Sequence, residues 1–197
     1  MGKKESSLKQ LVLSLTLITC IAAIALTVIY SMTKVPIALS QQKKKTDAIS
    51  LVLKGFKGET KETKVLLDGD KDSVIIYFAY QNDSLFGAAV ETYTDKAFDG
   101  TFSIMVGFDA VGNIIETEVL QANETPGLGD KIDKKKSDFP LQFKGKNPKD
   151  FNLLVKKDGG EVDAITAATI SSRAFCDAIQ RASNAFLKIK ENGNEQN

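Results

Sequence analysis

The chain has 197 residues, 43% apolar and 26% charged, with 26 Lys and Arg against 25 Asp and Glu and a formal net charge of +1. Such totals suit about one compact domain and exclude a disordered chain, a fibrous or low-complexity one, and a nucleic-acid binder that works through a basic footprint. With no histidine and only two cysteines, Cys20 and Cys176, the usual haem, zinc and iron–sulfur ligand sets are missing, so no metal site is expected and any metal would need oxygen ligands.

Gln10 to Thr33 carries no charged side chain. At about 1.5 Å per residue this run is long enough to cross a hydrocarbon layer of about 30 Å. It also exceeds the roughly 7–15-residue apolar core of a cleaved signal peptide, so residues 10–33 are expected to be an uncleaved transmembrane helix. Tyr30 would sit at the interface and Pro36 would end the helix. Lys3, Lys4 and Lys9 on one flank are balanced by Lys34 and Lys43 to Lys45 on the other, so charge does not set the orientation. The simpler arrangement leaves residues 1–9 as a cytoplasmic tail and exports the rest, a single-pass protein of the plasma (inner) membrane. The exported part would carry a net charge of −1, since Lys3, Lys4, Lys9 and Glu5 stay behind. Cys20 falls within the apolar run and Cys176 within a helix, so both are expected to be free, unreactive thiols.

Residues 34–190 read as one domain. Ala48, Ile49, Val52, Leu53 and Phe56 recur at helical spacing and predict a helix over 38–56, stopped by Gly55 and Gly58. Val74–Tyr80 and Leu85–Tyr93 are β-branched and aromatic, with the turn-prone link Gln81-Asn82-Asp83-Ser84, and predict a hairpin. In 101–108, Phe102, Ile104, Val106 and Phe108 alternate with Thr101, Ser103, Met105 and Gly107. In 114–120, Ile115, Thr117 and Val119 alternate with Glu116 and Glu118. Joined through Asp109–Asn113, these two runs predict a second hairpin. A loop-rich stretch follows, with seven lysines in 131–149 against Asp133 and Asp138, expected to be mainly a solvated face. Thr166–Lys190 places Ala167, Ile170, Ala174, Phe175, Ala178, Ile179, Ala182, Phe186 and Ile189 on one side and predicts an amphipathic helix packed on the sheet. Residues 191–197 are expected to be a disordered tail. The order implies an α+β fold: a transmembrane helix, then one antiparallel-sheet domain with flanking helices.

Two short motifs carry chemistry. Asp163-Ala164-Ile165-Thr166-Ala167-Ala168-Thr169-Ile170-Ser171-Ser172 opens the last helix with a concentration of hydroxyls. Thr166 or Asp163 would serve as an ordinary cap, yet the free N–H groups of a helix start also suit a phosphate. The segment resembles the Asp-x-x-Ser/Thr-Gly-Ala-Thr/Ser flavinylation motif of FMN-binding domains in the G subunit of the Rnf electron-transport complex and the C subunit of the sodium-translocating NADH:quinone oxidoreductase. In that family the last Thr is esterified to the phosphate of FMN by a flavin transferase that uses FAD and magnesium. The resemblance makes Thr169 the acceptor, with Asp163, Thr166 and Ala168 read by the transferase beside it. Ala167 departs from the family, which usually has Gly there.

Glu124-Thr125-Pro126-Gly127-Leu128-Gly129 is the second motif; alone it predicts a turn. It is similar to the ETPGLG loop of the same family, whose backbone would approach the flavin ring. The resemblance implies cofactor contacts from Glu124, Thr125, Gly127 and Leu128, and from Thr166, Ala167, Ala168, Ile170 and Ser171 around Thr169. It implies a redox subunit with covalent FMN and no independent catalysis, in a membrane complex that moves electrons between ferredoxin and NAD coupled to sodium or proton movement. Its partners would be the other membrane subunits and the flavin transferase, with no nucleic acid. The alternatives are the C subunit of the quinone-reducing complex, a stand-alone exported flavoprotein, and a non-redox anchored binding module.

Overall fold

The computed structural model describes residues 8–194 apart from 57, 71, 82 and 83. The predicted tails (1–7 of the first, 195–197 of the last) and the centre of the 81–84 turn lie outside the described residues. The chain divides into one unit ending at Lys43 and a second beginning at Lys44.

The first unit is helical. Helix α1 runs Leu8–Val52 and includes a segment long and apolar enough to cross a membrane. Leu13, Ile18 and Leu26 expose their side chains, as a lipid-facing helix requires. Pro36 does not end it. The helix passes through Pro36 and continues into the segment predicted as a 38–56 helix, ending at Val52, four residues before the predicted end. A proline removes one backbone hydrogen bond at a cost of about 3 kcal/mol, which good helix-forming residues on both sides offset.

In the second unit, β1 (Thr60–Val65), β2 (Val74–Gln81), β3 (Ser84–Ala97), β4 (Gly100–Asp109) and β5 (Ile114–Gln121) form an antiparallel sheet in the order β1-β2-β3-β4-β5. Both predicted hairpins are present, as β2/β3 and β4/β5. Helix α2, Thr169–Asn194, covers one face. There Phe102, Ile104, Val106 and Phe108 meet Phe175, Ile179 and Phe186, with Phe108 stacked on Phe186 at 5.4 Å between ring centroids. Each buried ring contributes about 1.5–3 kcal/mol. The last turn of α1 covers the other face, where Ala48, Val52 and Leu53 pack on Ala79, Ala89 and Met105. Gly107 makes that packing possible, because a Cβ there would lie 2.9 Å from the Val52 Cβ and collide with the Val52 carbonyl.

Three further expectations differ from the structure. Strand β1, Thr-Lys-Glu-Thr-Lys-Val, was not predicted; it is an edge strand whose charges discourage pairing with another chain. In β5, Ile115 does not share a face with Thr117 and Val119. The register shift at Gly107/Phe108 puts Ile115 in the α1-side core, whereas Val119 packs on the α2 side. Glu116 and Glu118 are buried and paired, with Lys54 at 2.8 Å and Lys134 at 2.8 Å. Finally, α2 begins at Thr169, three residues after the predicted start. Its far end, at Asn194, extends past Lys190 into the segment read as tail.

Three 3-10 turns, Gly129–Ile132, Phe139–Phe143 and Lys156–Asp158, order the loop-rich stretch between β5 and α2. Three of the lysines in this stretch are in ion pairs: Lys134 and Lys135 with Glu118, Lys136 with Asp130.

Candidate functional site

The late start of α2 has a local cause. The Ala168 N–H donates to the Ile165 carbonyl at 3.0 Å, closing a turn with Thr166 and Ala167 in its middle. Ala167 has φ +61°, the one non-glycine residue with positive φ among those described. A left-handed residue at the third place of such a turn is where a type II turn calls for glycine, and it cannot belong to the helix that follows. The Gly that the family usually carries here therefore has a backbone reason.

Because the helix starts at Thr169, the residue before it is Ala168, which has no side-chain oxygen. Neither predicted cap is in place: Thr166 is exposed, and the Asp163 carboxylate pairs with Lys156 at 2.7 Å. The first N–H groups of a helix lack intrahelical acceptors and carry its positive dipole end. Among the described residues no side chain caps that end.

Two serines fasten the segment. The Ser172 hydroxyl accepts from the Ile165 N–H at 2.9 Å and donates to the Ala168 carbonyl at 3.0 Å, fixing the turn from beneath. The Ser171 hydroxyl donates to Glu124 Oε2 at 2.7 Å, and Glu124 Oε1 accepts the Phe98 N–H at 3.3 Å. Glu124 is 7% exposed, so this carboxylate is a buried junction of three segments: the β3–β4 turn, the Glu124–Gly129 loop and α2. Among the described residues no hydrogen bond engages the Thr169 hydroxyl, while those of Ser171 and Ser172 are both committed.

The two glycines of the loop do different work. Gly127 has φ +76°, with open space where a Cβ would stand, and serves the turn. Gly129 serves close approach: a Cβ there would lie 2.6 Å from Ser171 Oγ and collide with Glu124 Oε2. The missing side chain lets the loop close onto α2.

Between loop and helix lies a cleft of about 130 Å³ lined by Phe98, Glu124, Thr125, Leu128, Gly129, Ala167, Ala168, Ile170 and Ser171. Seven predicted site residues thus meet in one place: Glu124, Thr125, Leu128, Ala167, Ala168, Ile170 and Ser171. Gly127 is on the loop but off the cleft wall, and Thr169 stands half-buried at the helix start between Ala168 and Ile170. Thr166 and Asp163 turn instead to a shallow groove shared with Lys131, Phe139 and Gln142. Gln142 holds the Asp163 backbone from both sides, accepting its N–H at 2.8 Å and donating to its carbonyl at 3.2 Å. Phe98 was missed by the sequence reading; it stands in the β3–β4 turn, 66% exposed. With Leu128 at 41% and Ile170 at 46% it forms an apolar rim of the kind that marks a binding site. This apolar rim, the open helix start and the uncommitted threonine suit a flat ring that carries a phosphate.

Residues 98–184 match the FMN-binding domain, from Phe98 to the middle of α2. The G subunit of the ion-translocating oxidoreductase complex of Aliivibrio fischeri is 35% identical over 187 residues, covering 90% of this chain and 89% of its own length. The chain belongs to the family of G subunits of ion-translocating oxidoreductase complexes. The Vibrio vulnificus and Salmonella typhi members are 33% and 36% identical, over 85% and 79% of this chain. The chain has an FMN-binding domain and, among the described residues, one apolar helix consistent with a single-pass anchor. The expectation drawn from the two motifs, an electron-transport subunit of the Rnf type, holds.

Proposed function

We propose that this protein carries FMN esterified through its phosphate to Thr169, and passes electrons between neighbouring subunits of the complex. The observation that carries the reading is the pairing of an uncommitted Thr169 hydroxyl with an uncapped helix start, beside a cleft lined by both motifs. Attachment needs a flavin transferase: the Thr169 oxygen bonds to the FMN phosphorus of FAD, the pyrophosphate bond breaks, AMP leaves and the hydroxyl proton goes to solvent or a base of the transferase. Asp163, Thr166 and Ala168 are the positions that enzyme would read, and the exposure of Asp163 and Thr166 supports such access.

When bound, FMN supplies one- and two-electron redox chemistry. The protein's part is to hold and orient. Leu128, Ile170 and Phe98 would hold the ring by apolar contact, Thr125 and Glu124 would supply polar groups beside it, and the first N–H groups of α2 would receive the phosphate. A cleft of about 130 Å³ would cover only part of a three-ring system, which would leave the rest of the ring accessible for electron exchange. The domain lies on the extracytoplasmic side, where a tethered cofactor is not lost by diffusion.

The test is in-gel flavin fluorescence of the full chain, denatured after purification from a host with an active flavin transferase. Fluorescence should stay with the chain, persist in Thr169→Ser and disappear in Thr169→Ala. Fluorescence retained in Thr169→Ala would move the attachment elsewhere, and none in the unsubstituted protein would contradict the covalent reading.

A further inference from the structure

A phosphodiester on Thr169 would keep one negative charge, and beside the N–H groups of the helix start no cationic side chain lines the cleft. Arg173 stands one turn further along α2. Residues four apart on a helix share a face, with Cβ atoms about 5–6 Å apart. The Cα–Cβ bonds of a helix tilt toward its N-terminus, which brings the Arg173 stem toward the turn that begins at Thr169.

The guanidinium is held in place. Its Nε donates to Asp158 Oδ2 at 2.6 Å and its Nη2 to Asp158 Oδ1 at 2.7 Å, Asp158 being the last residue of the 156–158 turn. A guanidinium has five N–H donors, of which this fork uses two. The two on Nη1 and the second on Nη2 have no partner among the described residues. They lie on the edges of the plane that Asp158 does not occupy. The groove beyond is otherwise lined by Leu153, Val155 and Cys176, and by the Lys96–Asp177 pair at 2.6 Å. Arg173 is the guanidinium nearest Thr169 in sequence, and the planar fork of arginine suits phosphate better than a lysine does.

We infer that Arg173, oriented by Asp158, is the counter-cation of the phosphodiester on Thr169 and fixes its direction at the mouth of the cleft. The inference rests on FMN being esterified at Thr169. Asp158 acts here as a positioning residue: it neutralises Arg173 until the phosphate is attached, and afterwards the guanidinium bridges the two anions.

The test is the ³¹P resonance of the flavinylated full-length protein in detergent, compared with a threonine–FMN phosphodiester model compound. The wild-type resonance should be displaced from the model compound, return toward it in Arg173→Gln, and fall between in Arg173→Lys. Arg173 is exposed, so both variants should melt where the wild type does. A resonance unchanged in Arg173→Gln, with flavin still attached by mass, overturns the inference and leaves the Thr169 ester standing. If Arg173→Gln takes up no flavin, Arg173→Lys decides: a displaced resonance supports the inference, and an unmoved one, or no uptake despite the retained charge, overturns it. A wild-type protein that takes up no flavin overturns the Thr169 reading itself, and this inference with it.

Discussion

Ser171 and Glu124 lie 47 positions apart in the chain and are joined by a buried 2.7 Å hydrogen bond that locks the Glu124–Gly129 loop onto the start of α2. Both motifs of the sequence meet at this contact. The loop comes close enough only because position 129 has no side chain.

Gly129→Ala should therefore act on this bond. The added methyl must displace Glu124 or Ser171, combining overpacking with a buried carboxylate oxygen left without its donor, each costing about 1–3 kcal/mol. Denaturant unfolding should show a loss of about 2 kcal/mol or more, and in a Ser171→Ala background the further loss should be smaller. Fully additive losses would mean that the two residues do not share the contact.

Ala167 holds a left-handed conformation that costs an L-residue about 1–2 kcal/mol, so Ala167→Gly relieves strain. Part of the gain is offset because Gly also raises the entropy of the unfolded chain by about 0.4–1 kcal/mol. The net expectation is a stabilisation of up to about 1 kcal/mol, with flavin attachment as fast or faster. Ala167→Val should be destabilising, since a branched Cβ tolerates positive φ poorly. Calorimetry of the three proteins in one buffer checks the order; Val as stable as Ala would contradict it.

Much of the fold was legible in the residues, and the failures have physical causes. Phe102, Ile104, Val106 and Phe108 alternate because one face of β4 lies under α2, and strict alternation is readable. Ile115 misled because a bulge shifts the face without changing composition. Pro36 misled because a local penalty was weighed without the helix on either side of it. Strand β1 has no apolar pattern, since an edge strand of Thr, Lys and Glu needs none. At the site, the motifs identified the loop and the helix start. Phe98 stayed invisible, because its contribution depends on where the β3–β4 turn is folded against Glu124.

The β4–β5 turn should respond to acid. Burial works against ionisation of Asp109, but its hydrogen bonds from Asn113, Gly112 and Val111 prevail and hold the carboxyl below its ordinary value of 3.8. A depressed carboxylate stabilises the fold fully above the unfolded value and loses that contribution as pH falls through the lower folded one. The stability gap between the wild type and Asp109→Asn should thus be constant above about pH 5 and narrow below 3.8. A gap that does not change down to about pH 2 would show that ionisation of Asp109 contributes nothing.

Burial, with the neighbouring Asp177 carboxylate adding, pushes the Cys176 thiol up to about 12. Since the thiolate is the nucleophile, Cys176 should resist maleimide at about pH 8 in a Cys20→Ser background and react at once in denaturant. Rapid labelling of the native protein would show that α2 opens from the sheet.

The attachment of FMN to Thr169 is tested most directly by the intact mass of the full-length protein and of Thr169→Ala, each purified from a host with an active flavin transferase. The account predicts a gain equal to FMN less one water in the first, lost in the second, and carried by the peptide that contains Thr169. An unmodified mass in the first protein, with the transferase active on a control substrate, would contradict it, as would an equal gain in both.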